Sequence, residues 1–157
     1  MVKAVLLFAT AGIVVGLAWP STKPPPPPIA ATTAASADDK EVILEREHGH
    51  FWVYAKVNGE LVHFLVDTGA TGVALTAEDA ERAGIPFSRS EFEDIGSGAS
   101  GTVRGKLVTI KEIDVQGKKA SNIPGAVLEG SQMSLLGQSY LSQLGEVRMV
   151  GDYMVLR

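Results

Sequence analysis

The stretch HFLVDTGATGVAL, His63 to Leu75, decides how the chain is read. Leu65 and Val66 are apolar, as are Val73, Ala74 and Leu75, and between them Asp67 is followed at once by Thr68 and Gly69. An apolar strand that runs into a turn of small residues places a carboxylate, which is costly to desolvate, at one defined point. A charge held that way asks for a chemical reason. The chain around it has 157 residues, 45% hydrophobic and 20% charged, a composition for one globular domain with appendages. There is no cysteine, which excludes a disulfide framework, a thiolate metal site and a cysteine nucleophile.

Upstream, residues 1–19 form a separate unit. Lys3 precedes the uncharged run AVLLFATAGIVVGLAW, Ala4 to Trp19. Two readings fit it: a cleaved secretory signal, with a small-residue site ending at Ala18, or an uncleaved signal anchor. The anchor is preferred, with the basic amino terminus in the cytoplasm and the rest of the chain in the periplasm; the alternative is a periplasmic or secreted protein. Residues 20–40 read as a Pro/Ala/Thr-rich linker. Pro24–Pro28 favour a polyproline II rod, and the Ala/Thr/Ser tract behind them has too little apolar bulk to pack. A stalk that holds a domain off a membrane explains these prolines more simply than an SH3-type ligand does.

The domain spans residues 41–157. All 18 acidic residues but only 12 of the 14 basic ones lie after residue 37, with no basic stripe, so nucleic-acid binding is disfavoured. Alternation and turn residues dominate. HFWVYAKV and ELVHFLVD are joined by Asn58-Gly59, a strong hairpin signal. A helix is expected over Ala77–Ala83, capped by Thr76 and stopped by Gly84 and Pro86. SEFEDIGSGASGTVRGKLVTI reads as two strands around the glycine-rich turn Gly96 to Gly101. EIDVQGKKASNIPGAVLEG supplies two more strands, SLLGQSYLSQLG a strand ending at Gly137 and a short helix, and EVRMVGDYMVLR a closing hairpin. The expected class is all-β and mainly antiparallel, a small closed barrel or sandwich with one or two short helices.

Several chemistries put a carboxylate at a strand end. His48 and His50 would alternate on one possible strand with His63 across the hairpin, but a polar strand face explains them better than a metal site. A subtilisin-like triad lacks its serine and histidine motifs here, and an aspartyl-phosphate enzyme would want Lys-Thr after the aspartate. Paired carboxylates remain. Two aspartates a few ångströms apart share one proton; one activates a water and the other donates to a scissile carbonyl. This chemistry needs no metal and no cofactor. It needs two Asp-Thr-Gly loops, and the chain has one, in a domain too small for two lobes. The second aspartate is therefore expected from a second copy, in a homodimer.

Asp67-Thr68-Gly69-Ala70, the glycine-rich hairpin and the later SLLGQSYL together resemble the retropepsin-type aspartic proteases. The likeness covers about Phe51 to Arg157 and is nearest to the bacterial, membrane-anchored single-domain branch. It implies an acid-protease-type barrel, one lobe per chain, with a flap, and aspartic endopeptidase activity on an extended segment of an extracytoplasmic protein. A non-catalytic dimerisation or peptide-binding module on the same barrel is the alternative. The resemblance assigns Asp67 as the catalytic carboxylate, with Thr68 bonding across the two-fold axis and Gly69 giving room in the loop. Ala70 and Thr71 would line the substrate, beneath a flap formed by Ile95, Gly96, Ser97, Gly98, Ala99, Ser100, Gly101 and Thr102. Leu135, Leu136 and Gly137 would pack the Asp67 loop from beneath. The sequence departs from the retroviral pattern at Thr71 and Gln138, where many members carry an acid and an arginine that pair, so a neutral hydrogen bond is expected in place of that ion pair.

Overall fold

The computed structural model describes residues 40–98 and 101–157; the expected anchor and nearly all of the linker lie outside them, as do Ala99 and Ser100. Among the described residues ten strands form one continuous sheet. In chain order they are β1 (Val42–Glu47), β2 (His50–Val57), β3 (Glu60–Val66), β4 (Val73–Leu75), β5 (Glu93–Gly98), β6 (Gly101–Val115), β7 (Lys118–Leu128), β8 (Ser134–Leu136), β9 (Val147–Val150) and β10 (Tyr153–Leu156). The helices are α1 (Ala77–Arg82) and α2 (Gln138–Leu141). The all-β expectation holds.

Turn chemistry sets the local registers. His48-Gly49, Asn58-Gly59 and Gln116-Gly117 each place two successive residues at positive φ, as a two-residue type I′ hairpin requires. The β9–β10 hairpin uses Gly151 at φ 58 followed by Asp152, the II′ arrangement. Asn58 does more than turn: its Nδ2 donates to Ala83 O and its Oδ1 accepts from Glu112 N, so the hairpin tip is bonded to the end of α1 and to β6.

Six strands close on themselves. The order runs β6-β7-β4-β8-β3-β2, and β2 returns to β6 through Lys56↔Asp114 and Val57↔Ile113. β5 extends the ring on one side, and β1, β10 and β9 extend it on the other. Two of the pairings are parallel, β3–β8 and β4–β7, where an antiparallel sheet was the main expectation. The period-2 pattern shows why the ring has a dry inside: Phe51, Val53, Ala55 and Val57 of β2 and Val62, Phe64 and Val66 of β3 are buried, and alternate residues face out. They pack with Leu75, Ile110, Ile113, Ile123, Val127 and Leu136. All three residues of β4 are buried, and this short continuous apolar run carries no alternation to mark it as a strand in sequence.

The predicted helix at 77 forms as expected, ending one residue early: Thr76 Oγ1 accepts from Asp79 N, and Ala83 is the cap. One element departs from the reading. The segment before β5 is a 3-10 turn, Arg89–Glu91, because Ser88 and Glu91 close a reciprocal capping box. His48 is also displaced from expectation: it sits in the β1–β2 turn, so it does not share a strand face with His50.

Tyr140 of α2 is fully buried and its hydroxyl donates to Lys118 O at 2.7 Å. Burial, and secondarily the charge of Asp114, push this hydroxyl well above its ordinary value of 10.0. The folded state therefore holds a proton that the unfolded chain releases, so this contribution is complete below about pH 10 and declines as pH rises beyond it. Tyr140→Phe is expected to cost about 1 kcal/mol at neutral pH and to flatten the decline above pH 10, measured by urea unfolding across pH 8–11.

Candidate active site

Asp67 stands at the end of β3, where the apolar strand gives way to the small residues of the turn. Its Oδ1 accepts from Gly69 N at 2.8 Å, and Ala70 N donates to Asp67 O at 3.2 Å, so the turn closes on its own carboxylate and carbonyl. A Cβ on Gly69 would lie 3.2 Å from Asp67 Oδ1, tighter than most such contacts, and glycine keeps this approach open. Asp67 is half-buried, and Thr68 and Gly69 are exposed. The turn thus presents its outer side to whatever the chain meets.

Beneath it the turn is held by backbone. β8 runs parallel to β3, pairing Leu65 with Leu135 and Val66 with Leu136, and Asp67 N donates to Leu136 O at 3.1 Å. The chain then passes directly under the loop. Gln138 N donates to Ala70 O at 2.8 Å and Ser139 N to Thr71 O at 3.0 Å. Gly137, between them, has no room for a side chain: a Cβ would stand 2.1 Å from Gly72 O and 2.7 Å from Ala70 O. Asp67–Thr71 and Leu135–Gly137 are therefore one bonded unit.

Side chains complete the hold. Gln138 Nε2 donates to Thr68 O at 2.9 Å. The neutral bond expected between Thr71 and Gln138 is not what forms here: the Gln138 amide bonds the main-chain carbonyl of Thr68 instead. Ser139 Oγ donates to Pro124 O at 2.6 Å and accepts from Val73 N at 3.0 Å, tying the turn's exit to β7. Ser134, fully buried, donates to Asp79 Oδ2 at 2.5 Å and accepts from Thr76 N at 3.1 Å, which docks β8 to the start of α1. The sequence reading passed over both serines; their one visible sign was hydroxyls flanking the apolar-apolar-Gly run on either side.

The glycine-rich segment forms a hairpin. β5 and β6 pair through Gly96↔Val103, Ser97↔Thr102 and Gly98↔Gly101, with a register shift at Ile95. Gly96, Ser97, Gly98, Gly101 and Thr102 are exposed, and Ile95 is half-buried. Among the described residues the hairpin shares no hydrogen bond with the Asp67 turn. Its base is firm: Arg104 donates to Phe92 O at 2.9 Å and pairs with Glu129 at 2.6 Å, while Lys106 meets Glu91 at 3.1 Å. At Gly105 a Cβ would strike Val127 O at 2.4 Å, so β6 leaves the ring where only glycine lets it lie this close to β7.

A cavity of about 890 Å³ lies elsewhere, between the outer face of β2–β3, α1 and the 130–134 segment. The Asp67 turn does not line it.

Three comparisons bear on this arrangement. The family described as "gag-polyprotein putative aspartyl protease" matches residues 53–143, a span that includes Asp67, the flap-like hairpin and Leu135–Gly137. The crystal structure of a retropepsin-like aspartic protease from Rickettsia conorii is similar with a TM-score of 0.62 and 34% identity, over 74% of this chain and 89% of that one. An uncharacterised protein from the cobV 5′ region of a Sinorhizobium species is 36% identical over 121 residues, 75% of this chain and 52% of its own. One from Rickettsia prowazekii (strain Madrid E) is 34% identical over 118 residues, 74% of this chain and 51% of its own. The chain spans about half the length of the curated relatives it matches.

Gly137→Ala is expected to cost at least ~3 kcal/mol, since backbone oxygens and no movable side chain block the new methyl. Gly145→Ala, whose methyl would meet Arg157 O at an ordinary 3.5 Å, is expected to stay within about 1 kcal/mol. Thermal denaturation of the two variants makes the comparison.

Proposed function

We propose that this chain, which belongs to the retropepsin-like gag-polyprotein aspartyl protease family, is an aspartic endopeptidase whose catalytic pair forms between two copies. The observation that carries this reading is the Asp67 turn: one carboxylate, fixed from beneath by three main-chain bonds and by Gln138, with exposed residues on its outer side. Rigid placement is what positions a reacting group. One carboxylate is half of what the chemistry needs, and the chain contains a single Asp-Thr-Gly.

In the proposed dimer the two Asp67 side chains approach across a two-fold axis and share one proton. The ionised member takes a proton from a water held between them, and that water attacks the scissile carbonyl. The protonated member donates to the carbonyl oxygen, and collapse of the tetrahedral adduct passes a proton to the leaving amine. Thr68 of each copy bonds to the other's loop. The glycine-rich hairpin around Gly96–Gly101 folds over a peptide lying as a strand, which meets Ala70 and Thr71.

The sheet supports a second copy independently. The register Arg46↔Phe51↔Val66 puts the β1–β2 end beside the Asp67 turn, and Arg46 N donates to Asp152 O, so the β9–β10 tip lies at the same end. Among the described residues β9 is one of the two terminal strands of the sheet, with Met149 54% and Val150 40% exposed. An open apolar edge there suits pairing with its symmetry mate. We further assign the domain to the periplasmic side of a membrane, held by residues 1–19 through the linker. Its substrates are then extended segments of extracytoplasmic proteins within the reach of that stalk.

Asp67→Asn is expected to abolish cleavage of a mixed peptide library while leaving unfolding and sedimentation nearly unchanged; equal cleavage by both forms would exclude the shared proton, and no cleavage by either would favour a peptide-binding module. Activity per chain is expected to fall on dilution through the dimer constant, and a constant value far below it would refute the two-copy site. Thr68→Ala is expected to weaken the dimer, each lost buried bond being worth about 0.5–1.5 kcal/mol, as read by sedimentation equilibrium.

A further inference from the structure

The large groove away from Asp67 has one wall of aromatic rings. His63 stacks between Trp52 and Tyr54, with centroid distances of 5.0 and 4.4 Å and interplanar angles of 28° and 18°. Leu61 and Met133 add apolar surface, and Tyr54 is 58% exposed. The opposite wall is α1, with Glu78 and Arg82. Among the described residues neither Trp52 Nε1 nor Tyr54 OH donates a hydrogen bond, although each is a donor at the tip of an apolar ring.

We propose that this groove holds the proline tract Pro24–Pro28 of the same chain. A polyproline segment offers carbonyl acceptors and apolar ring surface but no N–H, so it suits a ridge of stacked aromatic rings whose outer rings carry donors, and it gains little from a sheet edge. Lys23, which precedes the tract, would face the carboxylate of Glu78 on the helix wall. Reach is sufficient: 13 residues separate Pro28 from Val42, up to ~45 Å when extended, against a domain roughly 35 Å across. A tether of this length raises the local concentration into the millimolar range, so a weak contact is enough. Docking of this kind shortens the free stalk and fixes which face of the domain turns toward the amino terminus. It does not rest on the chemistry of Asp67.

The test uses the full chain in detergent micelles with Trp19→Phe, which leaves Trp52 as the sole tryptophan. Acrylamide quenching of Trp52 is compared between this chain and one in which Pro24 to Pro28 are all serine. The prolines are expected to lower the quenching constant at least twofold, independently of protein concentration. Tyr54→Ala is expected to restore quenching to the level of the serine chain, and a peptide copying Lys23–Ala30 to protect the serine chain saturably. Equal quenching in the two chains would overturn the proposal. So would protection lost on dilution, which would place a neighbour's tract in the groove, or equal protection in both chains that depends on the micelles, which would make the groove a membrane contact.

Discussion

The structure depends on one close crossing. At Gly137 the chain passes beneath the Asp67 turn with its α-carbon against the carbonyls of Ala70 and Gly72, and hydrogen bonds leave it on both sides toward that turn. The turn alone would be a short exposed loop of small residues with the freedom that such loops have. Bonded at Asp67 N, Ala70 O and Thr71 O, it inherits the rigidity of a parallel strand pair. The carboxylate is therefore positioned by main-chain geometry, which side-chain motion does not disturb.

The rest of the ring can be read as support for that crossing. β8 is only three residues long, and it reaches its place because β3 and β4 flank it and Ser134 fastens its start to α1. β4 in turn lies on β7 in parallel, and Ser139 joins Val73 to Pro124 across the same junction. Among the described residues the outer side of the turn and the terminal strand β9 stay uncovered. In the proposed dimer these are the two places where the second copy meets the first.

Much of this was legible because the signals were local. Asn58-Gly59 announced its hairpin by requiring two positive φ angles, and Thr76 announced its helix by having a hydroxyl where the first turn lacks an acceptor. The order of Asp-Thr-Gly, glycine-rich hairpin and Leu-Leu-Gly pointed to the family, since each residue there answers a steric or chemical demand. The parallel pairings and β4 were not legible: three apolar residues in a row fit a buried strand or a helix equally well, and only the strands on both sides decide between them. His48 was misplaced because alternation of histidines looks like a strand, whereas the Gly49 beside it demanded a turn. Ser134 and Ser139 matter through partners some 55 and 66 residues distant, which no local pattern encodes.

Ring closure through Lys56↔Asp114 and Val57↔Ile113 has a kinetic consequence. Such long-range pairings form only after loop entropy has been overcome, so they belong late in folding, after the β2–β3 hairpin has formed. β8 comes later still in the chain, some 70 residues beyond the strand it supports. During synthesis the aspartate emerges long before the glycine that will lie under it, and until then its loop has no fixed shape. Order therefore reaches the carboxylate of the nascent chain only once residues 134–139, which lie under its loop, have left the ribosome.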